Sequence, residues 1–143
     1  MMGNAPSPKP VDLNAIIFDV QKIFNTVFGE RITLETRLDP KLGLVRADGR
    51  AMEALLMNLF IRARDASAPG SELVVATSNL DLDSSAAAGM NVEPGRYARL
   101  EFAVDRDLDL GSIRALIEQL HGAVQIQSSP HQRMTVTIAL PRA

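Results

Sequence analysis

The chain has 143 residues, 46% of them hydrophobic, a size and composition that fill a single core in a single domain. Its 15 basic and 17 acidic side chains give a net charge of −2 with no block of one sign, which argues against a nucleic-acid or anionic-membrane surface. Cysteine is absent, so disulfides, thiolate catalysis and cysteine-built zinc sites are excluded together, and two histidines are too few for most other transition-metal cages.

Residues 1–10 (MMGNAPSPKP) contain three prolines with Gly, Asn and Ser and no apolar run long enough for a signal peptide. Such a composition buries little apolar surface and is expected to form a flexible linker ahead of a domain at 11–143. Asp12 is placed to cap a helix whose stripe is Leu13, Ile16, Ile17, Val20, Ile23, Phe24, Val27 and Phe28, with Gly29 to end it. Ile32, Leu34, Thr36 and Leu38 then alternate with Arg31, Thr33, Glu35 and Arg37, the period of a half-buried strand that stops at Asp39-Pro40. A short extended piece is expected at 43–46.

Asp48 is a second capping residue, and Met52, Leu55, Leu56, Leu59, Phe60 and Ala63 form the stripe of a second helix that breaks near Pro69-Gly70. Residues 73–80 have the pattern of a strand. The stretch 81–95 is rich in small and turn-forming residues and is expected to be a loop leading into a strand at 96–105. Leu110, Ile113, Leu116, Ile117 and Leu120 mark a third helix, closed at Gly122. The runs 123–129 and 134–141 alternate around a short turn at 130–133 and predict a hairpin. The expected fold is α/β: a two-layer sandwich with about three helices on one face of a mixed five-stranded sheet, the other face being left to solvent or a partner. Nowhere do about 18 apolar residues follow one another, so the cytoplasm is the expected location.

Three segments carry more specific information: NLFIRARDA (58–66), EPGRYARLEFAVD (93–105), and LGSIRALIEQLHGAVQIQSSP with TVTIALPR (110–130, 135–142). In order and spacing they resemble the asparagine box, central strand, final helix and closing hairpin of the histidine-kinase-like ATPase domain. That domain occurs in bacterial sensor histidine kinases and, in degenerate form, in ChpT-type histidine phosphotransferases. The opening PKPVDLN (8–14) is similar to the usual entry into it from the dimerisation helices. The resemblance implies a fold in which ATP lies between helices under a flexible lid.

At the positions where the resemblance implies nucleotide chemistry, this sequence departs from it. Asn58 matches the first asparagine of the box, but the second, one helical turn on, is Arg62, which cannot ligate a metal and can only fork onto an anion. Arg64 and Asp65, on the same helix, have the pattern of a solvated face with local charge pairing. The adenine-reading aspartate falls on Val104, with Asp105 one place along and hence on the opposite face of a strand. Arg106 and Asp107 replace the glycines that follow. The second glycine box aligns with Asp107-Leu108-Asp109-Leu110, and the roughly thirty residues of lid expected from the resemblance are almost entirely missing. Carboxylates about 5 Å from a polyphosphate oppose its binding by about 1 kcal/mol per charge pair even at an effective dielectric near 60. Asp105, Asp107 and Asp109 could also offer oxygens to a hard cation, but acids in a loop before a helix are ordinarily solvated, Asp109 favourably near the helix N-terminus.

The degenerate nucleotide-site positions are thus Asn58, Arg62, Asp65, Val104, Asp105, Asp107 and Asp109. No catalytic residue or metal site is expected, and no cofactor, with ATP and magnesium entering only if that site still works. The expected function is that of a pseudo-ATPase domain, a pseudokinase of two-component or phosphorelay signalling that binds protein partners. By analogy those partners are a response-regulator receiver domain or a histidine kinase, with a homodimer as a further option. The alternatives are the C-terminal domain of a larger histidine phosphotransferase or hybrid sensor kinase, and an atypical ATP-binding histidine kinase domain.

Overall fold

The computed structural model describes residues 9–29, 32–104, 110–127 and 134–143. Its elements follow in the order β1 (Lys9–Val11), α1 (Leu13–Phe28), β2 (Thr33–Arg37), β3 (Val45–Ala47), α2 (Gly49–Asp65), β4 (Glu72–Leu82), α3 (Ser84–Met90), β5 (Gly95–Val104), α4 (Gly111–Gln119), β6 (Ala123–Gln127) and β7 (Met134–Pro141). The main sheet has five strands in the order β2-β4-β5-β7-β6, parallel between β2 and β4 and antiparallel elsewhere. The parallel pair requires a crossover, which α2 supplies. The expected mixed five-stranded sheet covered by helices is therefore present. No helix among the described residues is long and apolar enough to cross a membrane.

Alternation along the strands sorts the two faces. Leu73 and Val75 of β4, Ala98, Leu100, Phe102 and Val104 of β5, and Val136, Ile138 and Leu140 of β7 are buried in one core cluster with α1, α2 and α4. Leu82 and Tyr97, from β4 and β5, and Ala139 of β7 point the other way and pack with Ala87 of α3 in a second, smaller cluster. That helix corrects the expectation of a loop over 81–95 and of a sheet bare on its second face. Asp83 starts it by accepting from Ala86 N–H, and Asn91 ends it in the left-handed conformation, φ 61°.

Both predicted capping residues are in place. Asp12 accepts from Ala15 N–H, and Asp48 accepts from Arg50 N–H at 2.9 Å and Ala51 N–H at 3.2 Å. The glycine stops work differently from the expectation. Gly29 caps α1 from the right-handed helical region, its N–H donating to the Asn25 carbonyl. At the end of α4 the positive φ falls on His121, at 60°. Gly122 is needed for close approach: a Cβ there would lie 2.5 Å from the Ala139 carbonyl oxygen. Lys9 and Pro10, expected to be part of the linker, belong to β1 and pair with Ala47 and Arg46 of β3. The turn expected at 130–133 lies outside the described residues, while the strands that flank it pair antiparallel as predicted.

Amides of α1 cover the free edge of β2. Asn25 donates to the Leu34 carbonyl at 3.2 Å and accepts from Leu34 N–H at 3.0 Å, and Gln21 donates to the same carbonyl at 2.9 Å. Backbone groups that would otherwise invite a foreign strand are thereby engaged. The stripe predicted for α1 is wider than the face it buries. Leu13, Ile17, Val20 and Phe24 are buried, whereas Ile23 and Val27 are 55% and 63% exposed because they lie a quarter-turn or so to one side of the buried line. On the face of the sheet away from the main core, the Glu72 carboxyl is held above the usual glutamate range, first by its hydrogen bond with Glu35 and then by the like charge of that group.

Candidate functional site

Helix α2 forms because Met52, Leu55, Leu56, Leu59, Phe60 and Ala63 recur at helical spacing and are all buried against the sheet and α1. With that face inward, Asn58 is exposed and Arg62, one turn on, is half-buried beside it. The two side chains meet: Arg62 Nε–H donates to Asn58 Oδ1 at 3.3 Å. The spacing of four places both on one face, but the direction of the contact, guanidinium onto amide oxygen, emerges only from the structure.

The rest of the predicted charged face of α2 is engaged locally. Arg64 Nη2 and Nε donate to Asp65 Oδ1 at 2.8 and 3.0 Å, and the Arg64 guanidinium lies over the Phe28 ring, 4.1 Å from its centroid. Phe28 in turn packs on Phe24 with centroids 5.2 Å apart, and Phe24 meets Phe60 edge-on at 6.5 Å. Arg64 therefore ties α2 to α1, a role the sequence offered no signal for because Phe28 and Arg64 are far apart along the chain.

Val104 ends β5 and is fully buried in the core with Leu110, Ile113 and Met134. This places the side chain at position 104 on the helix face of the sheet, the face on which the resemblance sets its adenine-reading aspartate. Asp105, Asp107 and Asp109 lie outside the described residues. The connection from β5 to α4 consists of residues 105–110, and Leu110 at its end is buried. The structure thus brings together Asn58 with Arg62 and Arg64 with Asp65, and it sets Val104 apart from solvent.

No family model matches the sequence. Among solved structures, the histidine kinase AdeS of Acinetobacter baumannii is similar over 96% of this chain and 68% of its own, at 18% identity and a TM-score of 0.69. The mycobacterial sensor histidine kinase MprB is similar over 94% of this chain and 97% of its own, at 16% identity and a TM-score of 0.70. Histidine kinase ThkA, solved in complex with the response regulator protein TrrA, is similar over 95% of this chain at 15% identity and a TM-score of 0.71, and this chain spans 42% of the ThkA chain. Identities this low speak to architecture alone, and the architecture is the histidine-kinase ATPase fold.

Proposed function

We propose that this domain is a pseudo-ATPase of two-component or phosphorelay signalling, which keeps the histidine-kinase ATPase fold and acts by binding a partner protein without binding ATP in the family manner. The observation that carries this function is the 3.3 Å bond from Arg62 Nε to Asn58 Oδ1. By resemblance, Asn58 is the position of a magnesium ligand; here its only ligating oxygen already accepts from a cation. A guanidinium has no lone pair to offer a metal. A divalent ion at that oxygen would also sit about 5 Å from the guanidinium charge, a repulsion of about 2 kcal/mol at an effective dielectric near 60.

Two further features support the same conclusion. Val104 has no acceptor for the amino group of an adenine ring and is closed off in the core. The connection 105–110 is too short for a lid of the expected length. Magnesium–ATP therefore does not fit the residues present, and no catalytic step is assigned to it. The partner class is a response-regulator receiver domain, by analogy of fold with ThkA, which was solved with such a protein bound.

The test is to incubate the chain with radiolabelled ATP, magnesium and a histidine-bearing helical hairpin, and separately to pass receiver domains over the immobilised chain. No label should reach the hairpin, and at least one receiver domain should be retained. Label on the hairpin histidine overturns the pseudo-ATPase assignment; failure of every receiver domain of the source proteome to bind overturns the partner assignment.

A further inference from the structure

β5 connects two different ends of the molecule. Val104 closes it in the main core opposite Met134 of β7, and Arg96 lies eight residues earlier, roughly 27 Å away at the rise of an antiparallel strand. At the Arg96 end lies a groove of about 930 Å³, bounded by the last turn of α4, the turn that follows α3, and the starts of β5 and β6. Its size is that of a ligand site.

Three guanidinium groups line this groove, Arg46 from β3, Arg96 from β5 and Arg114 from α4, and all three side chains are exposed. Among the described residues, neither Arg46 nor Arg96 has a hydrogen-bonding or ion-pairing partner for its side chain, and Arg114 donates only to the Val124 carbonyl, at 3.3 Å. Arginines that pair within a fold usually do so with carboxylates, as Arg142 does with Asp81 at 3.0 Å. One wall is pre-formed. Tyr97, only 5% exposed, donates its hydroxyl to the Glu93 carbonyl at 2.6 Å and so pins the turn after α3, whose entry is set by Asn91 in the left-handed conformation.

We infer that this groove binds an extended acidic segment of a partner protein, whose carboxylates are taken by Arg46, Arg96 and Arg114. Glu93 and Glu118 also line it, which decides against a dense polyanion. Three guanidinium charges against two carboxylates leave an excess of one, enough to favour separate carboxylates set opposite the arginines. A nucleotide triphosphate or a nucleic acid backbone would bring its charges against the glutamates as well. Such a partner presupposes the protein-binding role proposed above, but not the loss of ATP binding, so the two can fail separately.

The test is an NMR titration of the ¹⁵N-labelled full chain with a ten-residue peptide of alternating glutamate and leucine. A lysine–leucine peptide and inorganic phosphate are the comparators. The glutamate peptide should shift amides concentrated at 90–97 and 114–124, with an affinity that falls as salt rises. The double variant Arg96→Glu, Arg114→Glu should weaken binding about tenfold or more, and Arg96→Gln with Arg114→Gln should fall between it and the parent. Both variants are checked for an unchanged far-UV CD spectrum, and the glutamine pair carries the test if charge reversal perturbs folding. Absence of shifts at millimolar peptide, shifts centred elsewhere, equal shifts from the lysine peptide, or reproduction of the same pattern by phosphate alone each overturns the inference. ATP added in a separate titration of the same labelled chain and found to bind at α2 would overturn the pseudo-ATPase assignment and leave the groove result standing.

Discussion

On its inner face, α2 carries six apolar side chains from Met52 to Ala63 that are all buried, while its outer face carries Asn58 and Arg62, joined by a 3.3 Å hydrogen bond, at the positions where the resemblance would set two amides. The inner face needs only volume and apolarity at helical spacing, a demand that many sequences meet. The outer face, to hold magnesium and phosphate, would need particular donor atoms at particular places, and on the reading proposed above Arg62 withholds one of them. Architecture and site chemistry are thus asked of different residues of one helix, and the proposed function supposes that the first is kept without the second.

The largest effect that would break this contrast lies on the inner face. Phe60 is fully buried and meets Phe24 edge-on, so Phe60→Ala should cost about 3–5 kcal/mol in urea unfolding. A loss below 1 kcal/mol would mean that the face is not the anchor described. Next comes the close approach of α4 to β7: Gly122→Ala places a methyl 2.5 Å from the Ala139 carbonyl oxygen and should cost about 1–3 kcal/mol by the same measurement. On the outer face, Asn58→Ala removes an exposed group with one long hydrogen bond and should change stability by no more than about 0.5 kcal/mol. A larger loss would show that the amide has a structural role.

The smallest effect concerns pH. Glu72 has a folded-state pKa raised by Glu35, so the folded state holds its proton more tightly than the unfolded state does. That contribution is fully present below the ordinary glutamate pKa and is lost as pH rises through the elevated value. Thermal melts across mildly acidic pH should therefore show a shallow decline in the parent that is flatter in Glu72→Gln, and identical slopes would contradict the coupling.

Much of the fold was legible because its signals are periodic. The stripes of α1 and α2, the caps Asp12 and Asp48 and the alternation of β6 and β7 each follow from a repeat that the buried face imposes. α3 escaped because its residues are small and only Ala87 is buried, so no stripe distinguishes it from a loop, although Asp83 and Asn91 stand at its two ends as cap residues. The exposure of Ile23 and Val27 was hidden for the opposite reason: an apolar side chain beside a buried line looks the same in sequence whether covered or not. In the candidate site, the four-residue spacing put Asn58 and Arg62 on one face, but contact between them depends on side-chain direction, and the groove at Arg96 draws on segments too far apart in sequence to form a motif.

Calorimetric titration of magnesium–ATP into the chain, and in parallel into Arg62→Asn, tests the central claim most directly. If one restored amide cannot replace the missing acceptor at Val104 and the missing lid, neither protein will give a binding isotherm. Micromolar affinity in the parent, or a clear gain of affinity on Arg62→Asn alone, would contradict the account.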